Sequence, residues 1–107
     1  MNTQQLMDLD HQYLVQTYGR NPIALDHGLG ATLYDLEGKE YIDFASGIGV
    51  LSLGTAHPKW LAAVTMQAAK LGHASNLYYT QPYAQLAEKL CTRSGMSAAF
   101  FGNSGAE

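Results

Sequence analysis

Phe100-Phe101-Gly102-Asn103-Ser104-Gly105-Ala106-Glu107 carries the strongest local signal in this chain. Phe100 and Phe101 close an apolar run that begins at Ser97-Ala98-Ala99. Such a run reads as a buried strand of a parallel sheet. It leaves through Gly102 and reaches Ser-x-x-Glu, in which Ser104 and Glu107 have capping-box spacing. A strand, a glycine-bearing turn and a helix start together make an anion site, because free backbone N–H groups point outward there and the helix dipole favours a phosphate. Gly105 and Ala106 are small enough to let a phosphate reach the backbone, and the Ser104 hydroxyl could add a hydrogen bond. The same spacing occurs at many helix starts that bind nothing, so the motif alone leaves an ordinary cap and an anion site both open.

Working back from that stretch, the periodicities predict helix, small sheet, helix, helix, strand. Thr3 to about Tyr18 reads as a helix capped by Thr3 and closed by Gly19, with Leu6, Leu9 and Tyr13 on one stripe. Pro22 to Leu25 is short and extended. Ala31–Asp35 and Glu40–Phe44 are strand-like and flank a turn in which Gly38 can take positive φ, a hairpin signal. Ala45 to Gly54 is too glycine-rich to assign. Pro58 opens a helix with Trp60, Leu61, Val64, Ala68 and Leu71 as its stripe and Gly72 at its end. Thr80 caps the next, on which Tyr83, Leu86, Ala87 and Leu90 recur at helical spacing, and Gly95 terminates it. One strand cannot make a parallel sheet, so a buried strand at Ser97–Phe101 implies partners outside this sequence.

Composition narrows the function classes. The chain has 107 residues, room for a single domain at most, and is 47% hydrophobic and 14% charged. Its net charge is −3, and its six basic residues are scattered. Nucleic-acid binding would want them clustered. No apolar stretch approaches a membrane span, and the acidic start around Asp8 and Asp10 resembles neither a secretory signal nor a transit peptide. The single cysteine, Cys91, cannot form an internal disulfide and reads as a small buried thiol. These features lead us to expect a cytoplasmic location. His11, His27, His57 and His73 form no metal-ligand spacing, so no metal is expected. The exposed pair Tyr78-Tyr79 suits an interface or a pocket wall as well as partial burial.

Other motifs fall short. Gly102-Asn103-Ser104-Gly105-Ala106 approaches the nucleophile elbow G-x-S-x-G, but its last position is Ala106 and no acid or His follows. Gly49-Val50-Leu51-Ser52-Leu53-Gly54 has P-loop spacing with Thr55 where lysine is required, and Ser52 stands where a dinucleotide fingerprint needs its third glycine.

From about Tyr18 to Glu107 the chain resembles the fold-type I, class III aminotransferases. The matching pieces run in the family's order: Pro22–Leu25, Gly30–Asp35 with Leu36–Phe44, Gly47-Ile48-Gly49-Val50, Leu53-Gly54 with His57-Pro58, Ser75–Tyr79, and Phe101–Glu107. The resemblance implies an α/β fold: an N-terminal helix and small antiparallel sheet leading into the start of the large domain, truncated. Residues 1–54 would belong to an N-terminal segment and part of a small domain, and 55–107 to the start of the domain that binds pyridoxal 5′-phosphate. Ser104, Gly105 and Ala106 would hold the cofactor's phosphate. Tyr18 aligns with a tyrosine that contacts the far end of the substrate in ornithine-type relatives. The Ser75–Tyr79 loop resembles one near the partner subunit's site.

Two details point to the branch acting on N-acetylornithine: Ser75-Asn76-Leu77-Tyr78-Tyr79 running into Thr80-Gln81-Pro82, and Ile48, where ornithine δ-aminotransferases resemble each other in having Tyr. The implied activity moves an ω-amino group between N-acetylornithine and 2-oxoglutarate, in arginine biosynthesis, by a homodimer with amino-acid and 2-oxo-acid substrates and no nucleic-acid or membrane partner. Succinylornithine, N-acetyl-lysine, ornithine and γ-aminobutyrate are alternative substrates, and a non-catalytic binding module or a serine hydrolase built on Ser104 are alternative classes. The family's Schiff-base lysine, pyridine-pairing aspartate and ring-stacking aromatic all lie further along its chain. Lys39, Asp43, Lys59, Lys70 and Lys89 match no catalytic position, so no catalytic residue is expected in this sequence. One departure is Thr55, where the family's Leu-Gly-His-x-His-Pro has its first His.

Overall fold

Asn2, not Thr3, starts the first helix. In the computed structural model, which describes residues 1–107, the Asn2 side chain accepts from Gln5 N at 2.9 Å and the Gln5 side chain accepts from Asn2 N at 3.0 Å. This reciprocal pair is a capping box, and Asn outranks Thr at an N-cap. Helix α1 spans Thr3–Tyr13 and stops well short of the expected Tyr18. Leu14 is extended at φ −107° and ψ 140°, and β-branched Val15 and Thr17 then favour extended chain. The Gln16 amide donates to the Asp10 carbonyl at 3.1 Å, satisfying one of the carbonyls a helix end leaves open.

A three-stranded antiparallel sheet follows, with β1 at Leu25–Leu29, β2 at Thr32–Asp35 and β3 at Glu40–Ile42, in the order β1-β2-β3. The β2–β3 hairpin is the expected one, slightly shorter, in register Thr32↔Ile42 and Tyr34↔Glu40. β1 is an addition. It pairs from Leu25↔Asp35 to Leu29↔Thr32 with an irregularity between Leu25 and His27. The His27 and Tyr34 rings stack across the pair at 4.8 Å, a cross-strand contact of the kind that stabilises sheets.

Asp35 gathers the hairpin turn. Its carboxylate accepts from Glu37 N at 3.0 Å, Lys39 N at 2.8 Å and the Tyr41 hydroxyl at 2.9 Å. Burial pushes this carboxyl up, but those donors outweigh it and hold it below the ordinary aspartate range. The same bond to Asp35 raises the Tyr41 hydroxyl.

Two helices complete the chain. α3 spans Pro58–Lys70, with the proline at its first position. α4 spans Gln81–Ser94 between Thr80 and Gly95, whose φ of 75° closes it. Between the sheet and α3, Ser46–Gly49 forms a short turn, α2, described below. The chain divides into two compact units, Met1–Met66 and Gln67–Glu107.

The expected strand at Ser97–Phe101 does not form. A strand needs a neighbour to take its N–H and C=O groups, and the Gln67–Glu107 unit contains no strand to supply one. Phe100 is 87% exposed, while Phe101 meets the Tyr83 ring edge-on at 4.9 Å.

The core is minimal. Only Ala24 and Asp35, at 6% and 7%, are buried. The stripes on α3 and α4 exist, but Trp60, Leu61, Val64, Tyr83, Leu86 and Leu90 all stay exposed. The chain exposes 9414 Å², where a closed domain of this mass would expose about 5,800 Å². No helix is long and apolar enough to cross a membrane.

Candidate functional site

Three local structures carry chemistry, and each lies within one compact unit. The first is the terminal turn of the Gln67–Glu107 unit. Glu107 N donates to Ser104 O at 3.2 Å, so residues 104–107 curl as one turn rather than as an established helix. The Glu107 carboxylate reaches back and accepts from Asn103 N at 2.5 Å. A capping box would have engaged Ser104 N, so the grip falls one residue earlier than the spacing predicts. The N–H groups of Ser104, Gly105 and Ala106 have no partner within the chain, and a side chain at Gly105 would meet nothing within 4 Å. Asn103 N already holds one anionic oxygen, and the donors beside it are free and unobstructed. The donor set therefore fits a phosphate group.

The second is the glycine-rich segment that the sequence left unassigned. Ser46, Gly47, Ile48 and Gly49 have φ of 48°, 60°, 64° and 77°, which makes α2 a single turn of left-handed helix. Gly49 N donates to Ala45 O and Leu51 N to Ser46 O, both at 2.9 Å. Glycine takes this conformation freely, but each L-residue with a side chain costs about 1–2 kcal/mol there. Ile48 is β-branched, and its side chain stands 96% exposed. Asp43 Oδ1 accepts from Ala45 N at 2.9 Å and Ser46 N at 2.8 Å, gripping the entrance to the turn. Two non-glycine residues in left-handed conformation, Ser46 and Ile48, are not what the residue types there predict. The one available signal was Asp43 shortly before Ser46, the pattern of a side chain bonding to N–H groups further along its own chain. Beyond the turn, Gly30 and Thr55 exchange two backbone hydrogen bonds of 2.9 Å, which tie the segment to the sheet. Thr55 Oγ1 and His57 Nδ1 are enclosed without a partner.

The third is a cavity of about 330 Å³ in the Met1–Met66 unit, bordered by Leu6, Asp10, His11, Tyr18, Arg20 and Ile23. Arg20 pairs with Asp10 at 3.2 Å and lies 5.9 Å from the centre of the Tyr18 ring, within cation–π range. The remaining sequence candidates stay apart. No group of His, Cys, Asp and Glu is placed to hold a metal. Tyr78 and Tyr79 are exposed beside an open groove lined by Leu71, His73, Ser75, Thr80, Tyr83 and Leu86.

An N-terminal helix, a small antiparallel sheet, a glycine-rich connection and two helices leading to an anion-accepting turn define the opening segment of a fold-type I aminotransferase. The Aminotransferase class-III family model matches residues 13–107. The chain belongs to that family. It is similar to an acetylornithine aminotransferase of Haemophilus ducreyi, with 51% identity over all 107 residues, and to one of Methanocaldococcus jannaschii, with 49%. It spans 27% of the length of each of these relatives. Among solved structures it matches acetylornithine aminotransferase from Elizabethkingia anophelis at a TM-score of 0.95 and 31% identity, covering 99% of this chain and 28% of that one. It matches ornithine δ-aminotransferase from Plasmodium falciparum at 0.94 and 28% identity, covering 99% of this chain and 27% of that one.

Proposed function

We propose that this chain is the amino-terminal part of a pyridoxal-phosphate-dependent enzyme that moves the ω-amino group between N-acetylornithine and 2-oxoglutarate. The observation that carries this reading is identity of about half, end to end, with acetylornithine aminotransferases. In that role the enzyme serves arginine biosynthesis as a cytoplasmic homodimer. Residues 1–54 contribute to a small domain, and residues 55–107 begin the domain that holds the cofactor. The Ser104, Gly105 and Ala106 N–H groups and the Ser104 hydroxyl hold the phosphate. The cofactor, when bound, supplies the electron sink for amino transfer. Tyr18, beside Arg20 in its cavity, faces the far end of the substrate.

The competing reading, an ornithine δ-aminotransferase, fits the backbone equally well, since solved examples match at 0.94. Ile48 favours the acylated substrate. N-acetylornithine presents an uncharged amide and a methyl group where ornithine carries an ammonium. An exposed Ile side chain suits the methyl and gives an ammonium no acceptor, whereas a tyrosine would offer its oxygen. A desolvated, unpaired ammonium is costly.

The test is steady-state kinetics of the full-length enzyme with 2-oxoglutarate. Glutamate should form with a preference for N-acetylornithine over ornithine of about tenfold or more in kcat/KM, the scale a differing substrate group commands. Formation of no glutamate, or a preference for ornithine, overturns the assignment.

A further inference from the structure

Glu107 lies outside the set Ser104, Gly105 and Ala106, yet it shapes the turn those residues form. The turn is anchored at its start, where Phe101 meets the Tyr83 ring of α4 edge-on at 4.9 Å. At its far end both bonds come from Glu107: its N–H donates to Ser104 O at 3.2 Å, and its carboxylate accepts from Asn103 N at 2.5 Å. Gly102 makes room for that reach. A Cβ there would stand 3.0 Å from Glu107 Oε2, tighter than side chains normally pack. Gly102 is not among the positive-φ glycines, so it is the approach of Glu107, and not the backbone conformation, that uses the missing side chain. The bond to Asn103 decides which donors stay open. Unoccupied, Asn103, Ser104, Gly105 and Ala106 would offer a continuous run of N–H groups along which a phosphate could slip by one residue. With Asn103 N taken, the open donors are those of Ser104, Gly105 and Ala106.

We infer that Glu107 is a positioning residue for the cofactor's phosphate: by taking Asn103 N it closes the turn and sets the register in which Ser104, Gly105 and Ala106 meet the phosphate. This rests on the proposed function, because it needs a phosphate-bearing cofactor in the turn. The role calls for an acceptor and not for a charge, as in a capping box, where Gln serves as well as Glu. Without the acceptor, Asn103 N turns to water or to the phosphate itself, the turn loses its closure, and the three donors no longer converge on one place. The loss falls on a ligand that carries a phosphate, because the bonds of Glu107 all lie within the turn.

The experiment titrates the full-length apoenzyme with pyridoxal 5′-phosphate and, separately, with pyridoxal, which lacks the phosphate. Quenching of protein fluorescence gives the two dissociation constants, and their ratio is the preference for the phosphate. Glu107→Ala should weaken pyridoxal 5′-phosphate about tenfold, the scale of one hydrogen bond to a charged group, and leave pyridoxal within about twofold. Glu107→Gln keeps the acceptor and removes a negative charge beside the phosphate, so it should bind pyridoxal 5′-phosphate at least as tightly as the wild type. A wild-type preference in Glu107→Ala overturns the inference. So does an equal loss on both ligands, which is general damage to the fold. So does a Glu107→Gln variant as weak as Glu107→Ala, which makes the charge and not the acceptor the cause. Should Glu107→Ala fail to fold, Glu107→Asp decides, since it keeps the charge on an arm too short for Asn103 N: a lowered preference supports the positioning role and a wild-type preference overturns it. The two readings fail separately. A wild-type apoenzyme that binds the two ligands alike removes the phosphate site of the proposed function, whereas one whose preference ignores Glu107 removes only the positioning role.

Discussion

Gly54 and Gly38 have nearly the same backbone, at φ 83° and 80°, but different surroundings. A Cβ at Gly38 would meet nothing within 4 Å, while one at Gly54 would lie 2.9 Å from Gly30 Cα and 3.0 Å from Gly30 O. Alanine at either position incurs the positive-φ strain, on the order of 1 kcal/mol. At Gly54 it must also push apart the backbones of Gly30 and Thr55, adding roughly 1–3 kcal/mol as overpacking does. Gly54→Ala should therefore lower the denaturant midpoint of the full-length protein clearly more than Gly38→Ala, and equal losses would mean the Gly30–Thr55 bridge carries no stability. Ser104 is the matching test at the cofactor. Its hydroxyl would donate to a charged phosphate, a bond of about 1.5–3 kcal/mol. Ser104→Ala should then weaken retention of pyridoxal phosphate by about tenfold or more in a spectrophotometric titration of the full-length enzyme, and unchanged affinity would take Ser104 out of the phosphate cup.

Helix α1 does not pack against the sheet, yet it is fastened at one end. Thr3 N donates to Glu37 Oε1 at 2.9 Å and Thr3 Oγ1 to Glu37 Oε2 at 2.6 Å, so the hairpin turn clasps the first residue of the helix. A carboxylate at a helix N-terminus also complements the dipole. The Thr3 hydroxyl and then the Thr3 N–H lower the Glu37 carboxyl below its ordinary value near 4.5, against the opposing field of Asp35. With a lowered folded value, the clasp contributes fully above the unfolded value and is lost as pH falls through the folded one. Hydrogen exchange at the α1 amides should accelerate as pH drops below about 4.5 beyond the intrinsic pH effect. Glu37→Ala should give about threefold faster exchange at neutral pH, a modest effect because the group faces solvent; an α1 indifferent to both would show that the helix is held elsewhere. This clasp was illegible in sequence because Thr3 read as a cap, and only Asn2 taking the cap frees Thr3 for Glu37. α3 and α4 were legible because their signals are local: Pro58 at the start, Gly95 at the end, apolar residues at helical spacing between. β1 was hidden by Asp26, His27 and Gly28, which do not alternate as a strand should. The Ser97–Phe101 run was misleading for the opposite reason, since its residues suit a strand and its neighbours are missing. Ser104, Gly105 and Ala106 were visible as residues, but their free N–H groups became visible only once Glu107 was seen to turn back onto Asn103.

Taken whole, the chain has the secondary structure of an aminotransferase opening and almost none of its interior. About 3,600 Å² more surface is exposed than a closed domain of this mass would leave open. Much of it is apolar, from Trp60 and Leu61 on α3 to Tyr83 and Leu90 on α4 and Phe100 beyond. Apolar area of that extent is buried in a folded protein at about 25 cal/mol per Å², so leaving it wet removes the main force that would hold the helices in place. A net charge of −3 opposes association only weakly. The 107-residue chain expressed alone should therefore keep helical far-UV circular dichroism from α3 and α4, bind a hydrophobic dye, melt over a broad range and elute as oligomers. It should also retain no pyridoxal phosphate through dialysis, because Lys39, Lys59, Lys70 and Lys89 lie on the hairpin and helices and none belongs to the Ser104–Glu107 turn. A sharp two-state melt of a monomer would show that α1, the sheet and the two helices suffice to make a core, and a lysine-linked cofactor band surviving dialysis would place a reactive lysine inside these residues.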